Sequence, residues 1–209
     1  FTLVRSSAAS DVYKRQSLAG AIAACERSLE RLGTDRIDLY LLHWQGRHPL
    51  EDTLEAFQHL VEVGKIRYWG VSNFDHRALA DLQDVPGSGG LATDQVLYNL
   101  SRRGPEYDLL PWCADHQLPV MAYSPIEQGR ILQDTTLNDV AARHSVSPAA
   151  AALAWVLRRD SLCTIPKASS PQHVRDNATA LDVELTREDL DALDRAFPPP
   201  SGPRPLEML

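Results

Sequence analysis

Apolar residues recur at helical spacing near the start of the chain and again after residue 49. Positions four and three apart share one face of a helix, so each series predicts a helix with one buried side. The first series, within 17–32, comprises Leu18, Ile22, Cys25, Leu29 and Leu32. The second comprises Leu50, Leu54, Phe57 and Val61. Gly33 and Gly64 follow the two series, where glycine commonly ends a helix.

Short, mostly apolar runs between the helices predict strands. These runs are Ile37–Leu42, Ile66–Val71, Asp94–Leu100, Leu118–Tyr123 and Leu162–Ile165. A run in which apolar residues dominate without strict alternation is typical of a strand covered on both faces. We expect such cover for Ile37–Leu42.

Capping residues mark the beginnings of further helices. Asp75 precedes a short helix that carries Leu79 and Leu82. Ser-Pro pairs at 147–148 and 170–171 supply a cap and a first turn. Two further helices are predicted at 106–116 and near 136–144, and an alanine-rich helix carries Leu153, Val156 and Leu157. The last predicted helix carries Leu190 and Leu193 and begins with a capping box formed by Thr186 and Asp189.

Strand and helix alternate about five times, which favours parallel strands joined by helical crossovers. Two architectures fit this alternation, an open doubly wound sheet and a (β/α)8 barrel. No GxGxxG follows a strand, which disfavours the open dinucleotide-binding sheet. Polar residues at predicted strand ends favour the barrel, whose active sites lie at that face. These residues are His43, Ser72, Asn73, Gln95 or Asn99, Tyr123, Ser124 and Lys167.

The composition is that of an ordinary folded protein. Of 209 residues 44% are apolar, and 21 basic against 28 acidic residues leave a net charge of −7. This balance, without a basic run, predicts neither a nucleic-acid partner nor an anionic membrane partner. No apolar stretch approaches the ~20 residues of a membrane span, and no leader pattern opens the chain. Three scattered cysteines suggest neither a zinc cage nor a disulfide framework, so we expect a cytoplasmic protein.

Five motifs in order give the chain a family resemblance from about Ile22 to its end. They are SLERLGTDRIDLYLLHW, GKIRYWGVSNF, QVLYN, VMAYSPI and IPKASSPQHVRDN. In this series the chain resembles an aldo-keto reductase, and WCADHQLPVMAYSP with the FPPP tail resembles the bacterial methylglyoxal-reductase-like aldehyde reductases. The resemblance implies an incomplete (β/α)8 TIM barrel, carrying about its last five strand–helix units.

The first motif ends in the family's active-site histidine. The resemblance implies that His43 donates a hydrogen bond to the substrate carbonyl oxygen and that Trp44 forms a wall of the aldehyde pocket. A neutral imidazole suits this role because it presents an N–H in a partly apolar pocket. From the residues alone, a histidine satisfied by local hydrogen bonds and a tryptophan packed in the core remain alternatives.

Four residues match the family's nicotinamide site. By resemblance Ser72, Asn73 and Gln95 hold the carboxamide, and the ring of Tyr123 stacks on the nicotinamide and selects the face that delivers hydride. The residues alone leave other roles open: Ser72 and Asn73 as a turn capping the next helix, Gln95 as an ordinary strand-end polar residue, and Tyr123 as a core tyrosine.

Further residues match the phosphate and adenosine ends of the family's cofactor site. Ser124, Ile126 and Gln128 match a segment along the pyrophosphate, where Glu127 places an acid near that charge. Lys167 and Ser169 offer a charge and a hydroxyl to a 2′-phosphate. The adenosine set, by resemblance, is Lys167, Ser169, His173, Asp176 and Asn177.

The nicotinamide cofactor expected from these matches is NADPH, with NADH possible. Many relatives carry arginine where His173 stands, and a neutral histidine holds phosphate less firmly than a guanidinium does. No metal ion is expected.

The remaining catalytic residues of the family have no match in this sequence. They are a tyrosine general acid, an aspartate and a lysine, and we do not assign their roles to Tyr13 or Lys14. We expect 1–16 to be a non-matching, artefactual segment, 17–197 a partial barrel domain and 198–209 a proline-rich tail. Since a barrel needs eight strands, five would leave open edges prone to self-association, whereas the full-length parent is expected to be a monomer.

These expectations lead to one predicted function and two alternatives. The full-length parent is expected to reduce small aldehydes or α-oxoaldehydes with NADPH, its only partners being small-molecule carbonyl substrates. The chain itself is expected to show little or no turnover, because each general acid or base contributes ~10²–10⁴-fold. The alternatives are a non-catalytic, nicotinamide-nucleotide-binding or regulatory barrel protein, and a gene-model fragment that exists in no cell.

Overall fold

The computed structural model describes residues 17–209. The expectations for the segment 1–16, including those for Tyr13 and Lys14, lie outside the described residues. The described chain forms two compact units, residues 17–93 and 94–209.

Strands and helices alternate in each unit. The strands are β1 (Ile37–Leu42), β2 (Ile66–Ser72), β3 (Leu91–Leu97), β4 (Val120–Tyr123) and β5 (Leu162–Thr164). The helices are α1 (Leu18–Leu32), α2 (Leu50–Glu62), α3 (His76–Gln83), α4 (Leu109–Asp115), α5 (Thr135–Arg143), α6 (Pro148–Leu157), α7 (Pro171–Ala178) and α8 (Arg187–Ala196). Every predicted strand and helix therefore has a counterpart.

The predicted caps begin the helices as expected. Asp75 accepts hydrogen bonds from the backbone N–H groups of Arg77 (3.1 Å) and Ala78 (2.8 Å) and so opens α3. Ser147 and Ser170 accept in the same way at α6 and α7. Ser17 also caps α1, which the sequence pattern did not predict. Gly33 ends α1 with φ 65°, a left-handed conformation that glycine adopts without a Cβ clash.

In the first unit, two parallel strands pack against helices. β1 pairs with β2 from Ile37 opposite Ile66 to Leu42 opposite Val71. Phe57 of α2 is the central core residue, with its ring 5.7 Å from Tyr40 and 5.6 Å from Trp69. One helix side chain thus contacts both strands.

Two burial predictions for this unit are wrong. β1 is not covered on both faces, because among its six residues Leu42 alone is buried. Within the described residues β1 pairs on one side, with β2, and a strand at such an edge is less enclosed than a central one. In α2 the last core position is Leu60, fully buried, and Val61 is exposed, because the helical turn carries Val61 past the face that packs on the strands.

In the second unit, β4 pairs in parallel with β3 on one side and with β5 on the other. Helix α6 is buried along seven consecutive residues, 150–156. Five of these seven are small or β-branched, and Ala150, Leu153 and Ala154 pack with Ala180 in one apolar cluster. A helix buried all round is typical of a core position.

The bounds of β3 differ from the prediction Asp94–Leu100. The strand is Leu91–Leu97, and the chain turns directly after it. Asn99 makes this turn, because its Oδ1 accepts from the backbone N–H groups of Ser101 (2.9 Å) and Arg102 (3.0 Å). An asparagine that bonds its own backbone in this way competes with strand pairing. The other strands and helices differ from prediction by a few residues at their ends.

None of the helices within residues 17–209 is long and apolar enough to span a membrane. Within the same residues no group of His, Cys, Asp or Glu side chains forms a metal-binding cluster. The three cysteines are free thiols, and burial raises the pKa of Cys25 to about 11 and that of Cys113 to about 12. These two thiols are therefore protonated at neutral pH and inert.

Gly70 provides a test of strand packing in the first unit. A Cβ at this position would lie 2.5 Å from the carbonyl oxygen of Thr93 and 2.8 Å from Leu41 Cδ2. We expect Gly70→Ala to lower the free energy of unfolding by about 1–3 kcal/mol, because backbone must shift to admit the methyl group. Gly89→Ala is the control, since no described atom lies within 4 Å of its Cβ. Equal denaturation midpoints for the two variants would contradict this packing.

Asp189 provides a test of the contact between α5 and α8. Its buried carboxylate accepts hydrogen bonds from His144 Nε2 (2.8 Å), Thr186 Oγ1 (2.7 Å) and Arg143 Nη2 (2.6 Å). Burial by itself raises the pKa of this carboxyl, but these hydrogen bonds outweigh burial and hold the pKa well below its usual range. We expect Asp189→Asn to lower the free energy of unfolding at pH 7 by about 2–3 kcal/mol.

The pH dependence of this loss follows from the depressed pKa. The unfolded chain binds the proton near pH 4 and the folded chain only at lower pH, so the stabilisation is present above about pH 4 and disappears as pH falls through the folded pKa. Urea unfolding at a series of pH values measures it. Asp191→Asn is the control, because Asp191 pairs with the exposed Arg187 on the same helix. A loss that stays constant down to pH 2 would contradict the assignment.

Candidate functional site

His43 follows the last residue of β1, in the first unit. Its ring is half-buried and lies edge-to-face against the ring of Trp44, with 5.0 Å between centroids and 69° between planes. The buried side chain of Leu42 anchors the end of the strand directly before it. The predicted position of His43 at a strand end is therefore what the structure has.

Ser72 and Asn73 stand at the end of β2, beside His43. Asn73 has φ 62°, a left-handed conformation that asparagine tolerates better than most residues. Its Nδ2 donates to the backbone oxygen of His43 (3.0 Å) and to Ser72 Oγ (3.2 Å), which joins the ends of the two strands. The cap of α3 is Asp75, so helix capping does not account for Ser72 or Asn73.

Gln95 lies within β3 of the second unit, two residues before the strand ends. It is half-buried, and its Nε2 donates to Met121 Sδ (2.9 Å), a weak acceptor on β4. The expectation that Gln95 stands at or beyond a strand end is wrong, because β3 continues for two residues past it; the alternative, Asn99, lies just beyond the end of the strand.

Tyr123 is the last residue of β4, and its side chain is half-buried. Burial raises the pKa of its hydroxyl, and a hydrogen bond with the backbone of Leu209 opposes that shift without cancelling it. The hydroxyl is therefore protonated at neutral pH. The end of the proline-rich tail lies at this hydroxyl.

The segment after β4, residues 124–129, has an unusual backbone, and we call it the post-β4 loop. Four of its six residues have positive φ: Ser124 (51°), Glu127 (49°), Gln128 (55°) and Gly129 (88°). Two turn hydrogen bonds hold it, from Glu127 N to Ser124 O (2.9 Å) and from Gly129 N to Ile126 O (2.8 Å). Backbone N–H groups in such conformations can converge on an anion, so a phosphate-binding loop does not need a glycine-rich sequence.

Glu127 turns into the protein beneath this loop. Its side chain is 4% exposed, and its oxygens accept from Arg102 Nη2 (3.0 Å), Arg130 Nη1 (3.0 Å) and Asn99 Nδ2 (2.9 Å). Burial by itself raises the pKa of Glu127, but the hydrogen bonds from Arg102 and Asn99 and the two arginine charges lower it below its usual value. The acid that the sequence placed near the pyrophosphate is thus buried and neutralised by two cations.

No sequence signal marked this pairing. The sequence pattern places Asn99 at a strand end, but it does not show that Asn99 and Arg102 both contact Glu127, which lies about 25 positions further along the chain. A contact at that separation follows from tertiary folding, and local spacing does not reveal it.

The adenosine set lies around the beginning of α7. Lys167 and Ser169 are exposed on the segment after β5, and Ser169 Oγ lies 3.3 Å from His173 Nδ1. Asp176 Oδ1 accepts from Gln172 Nε2 (2.7 Å), and Asn177 is half-buried on the same helix. The structure therefore brings Ser169 and His173 together, and Asp176 and Asn177 follow on the next turn.

Several known proteins are similar to this chain over most of its length. The model described as "Aldo/keto reductase family" matches residues 7–197, and so begins inside the segment 1–16, for which we expected no match. Methylglyoxal reductase YeaE of Escherichia coli (strain K12) is 49% identical over 194 residues, covering 90% of this chain and 68% of that protein. Glyoxal reductase of Bacillus subtilis (strain 168) is 35% identical over 195 residues, covering 93% of this chain and 69% of that protein.

A solved structure gives the same result. An aldo/keto reductase from Klebsiella pneumoniae in complex with NADP and acetate is 47% identical, with a TM-score of 0.91 over 93% of this chain and 71% of that one. The fold of such enzymes is a (β/α)8 barrel, and residues 17–209 carry five of its strand–helix units. The expected fold class is confirmed, as is the likeness to methylglyoxal reductases, and the chain belongs to the aldo/keto reductase family.

Proposed function

We propose that this protein is an NADPH-dependent reductase of small aldehydes or α-oxoaldehydes. The observation that carries the proposal is the post-β4 loop, whose left-handed backbone can receive a diphosphate while its one acid is buried and paired. The relatives named methylglyoxal reductase and glyoxal reductase support the substrate class.

The charges of the second unit fit a phosphorylated cofactor. Glu127 contributes no net negative charge at the loop, because Arg102 and Arg130 both pair with it. Beyond β5, Lys167 presents an exposed ammonium, and the nearby carboxylate of Asp176 is bonded to Gln172. An anionic ligand along this segment meets cations and N–H groups.

The residues that we propose to hold NADPH are those of the family pattern. They are Ser72, Asn73 and Gln95 for the carboxamide, Tyr123 for the nicotinamide ring, Ser124, Ile126 and Gln128 for the pyrophosphate, and Lys167, Ser169, His173, Asp176 and Asn177 for the adenosine end. When bound, NADPH supplies the hydride that reduces a carbonyl carbon.

His43 and Trp44 are proposed to act on the substrate. An N–H of the half-buried imidazole donates to the carbonyl oxygen and so polarises the bond that is reduced. The indole beside it provides apolar surface for a small aldehyde. We assign the family's tyrosine, aspartate and lysine to none of the described residues.

Lys167 tests the cofactor site. We expect Lys167→Ala to weaken NADPH binding about tenfold and to leave NADH binding within twofold, because the ammonium pairs with the 2′-phosphate that NADH lacks. Titration of nicotinamide fluorescence measures both dissociation constants. Lys65→Ala is the matched control, since it removes the same charge from a surface pair with Glu26. Equal changes for the two cofactors would contradict the role of Lys167.

The rate of NADPH consumption tests the catalytic role proposed for His43. With methylglyoxal and NADPH we expect this chain to consume NADPH about 10²–10⁴-fold more slowly than the E. coli relative assayed beside it, for want of an assigned general acid. His43→Gln should lower the remaining rate about tenfold and leave NADPH affinity unchanged. Tight NADPH binding without consumption by any small aldehyde would instead favour a non-catalytic nucleotide-binding protein. A rate equal to that of the relative would contradict the missing catalytic set.

A further inference from the structure

One buried network beneath the post-β4 loop lies outside the residues assigned to the cofactor. Its members are Asn99, Arg102 and Glu127, and two of the three, Asn99 and Glu127, are almost completely buried. Arg102 Nε and Nη2 both donate to Glu127 Oε1, at 3.2 and 3.0 Å. This two-point contact holds Oε1 with a charge-assisted pair of hydrogen bonds, and the hydrogen bond from Asn99 to Oε2 then fixes the direction of the carboxylate.

Asn99 holds the loop at its first and fourth residues with one amide group. Its Nδ2 donates to the backbone oxygen of Ser124 (2.9 Å) and to Glu127 Oε2 (2.9 Å). Its Oδ1 accepts from the backbone N–H of Arg102 (3.0 Å), which places the arginine for its contact with Glu127. Each of the three residues therefore contacts the other two, Arg102 through its backbone N–H to Asn99 and through its guanidinium to Glu127.

The loop needs such support because its backbone is strained. Glu127 and Gln128 are consecutive non-glycine residues with φ of 49° and 55°. Residues other than glycine rarely adopt this region, and they persist there where surrounding contacts over-determine the conformation. The buried carboxylate of Glu127 anchors the strained segment from its inner side.

We propose that Glu127 is a positioning residue for cofactor binding, holding the post-β4 loop in its left-handed conformation through Asn99 and Arg102 and thereby setting the affinity for the diphosphate of NADPH. This inference rests on the proposed function. Glu127 touches no part of the cofactor in this scheme, so its effect is confined to the loop. The adenosine end, held around α7, is independent of it.

Two ligands separate a positioning role from a merely structural one. NADPH engages the loop through its diphosphate, whereas adenosine 2′-monophosphate carries only the adenosine and the 2′-phosphate. We expect Glu127→Gln to raise the dissociation constant for NADPH about tenfold and to leave that for adenosine 2′-monophosphate within twofold. Fluorescence titration for the first and calorimetric titration for the second, on the full chain, measure the two constants.

Arg102 supplies the matched control. Its Nη1 donates to the half-exposed Glu207 (2.6 Å), so Glu207→Gln removes a carboxylate from the same arginine without touching Glu127. We expect this variant to bind both ligands as the unmodified chain does. If Glu127→Gln does not fold, Arg102→Lys keeps the charge and loses the two-point contact, and it should weaken NADPH binding alone.

Four results would overturn the inference. Unchanged NADPH affinity in Glu127→Gln, or an equal loss of affinity for both ligands, excludes a role confined to the loop. An equal effect of Glu207→Gln shows that the loss of any carboxylate beside Arg102 lowers the affinity, and not the loss of the buried contact with Glu127. If the unmodified chain binds neither ligand, the proposed function itself fails, and the inference fails with it.

Discussion

Parallel pairing of neighbouring strands is the constraint from which the candidate site follows. Parallel strands require a crossover between them, and every strand end in a pair then lies at the same edge. In the first unit the register sets Leu42 opposite Val71, so His43 emerges beside Ser72. In the second unit Leu97 lies opposite Tyr123, which brings the turn at Asn99 to the loop after β4.

Three buried carboxylates of the second unit, Glu127, Asp189 and Glu106, are paired with basic side chains. Glu127 lies between Arg102 and Arg130, and Asp189 accepts from Arg143 and His144. Glu106 is held in the same way by Arg103. A buried carboxylate without partners would be strongly destabilising. The contacts of Arg102 with Glu127 and of Arg143 with Asp189 also tie distant segments of the second unit together. The pairing of Glu127 also removes negative charge from the post-β4 loop, which is proposed to receive the diphosphate.

Local chemistry accounts for what sequence inspection predicted well. Helix starts at Asp75 and Ser147 were correct because a side-chain oxygen three residues from a backbone N–H needs no distant partner. The end of β3 was wrong because Asn99 turns the chain before the apolar run is finished. Val61 was misplaced because two adjacent apolar residues, Leu60 and Val61, fit the helical period almost equally, and packing chose Leu60.

The amino-acid sequence by itself determined the alternation of elements, the caps and the motifs that resemble one family, since each depends on residues close together in the chain. The roles of the individual site residues remain predictions that rest on that resemblance. Only the tertiary structure decided that Glu127 is buried, that Asn99 and Arg102 hold it, and that the tail reaches Tyr123. Those contacts join residues 25 or more positions apart, and their energies depend on burial and direction, which a linear pattern does not contain.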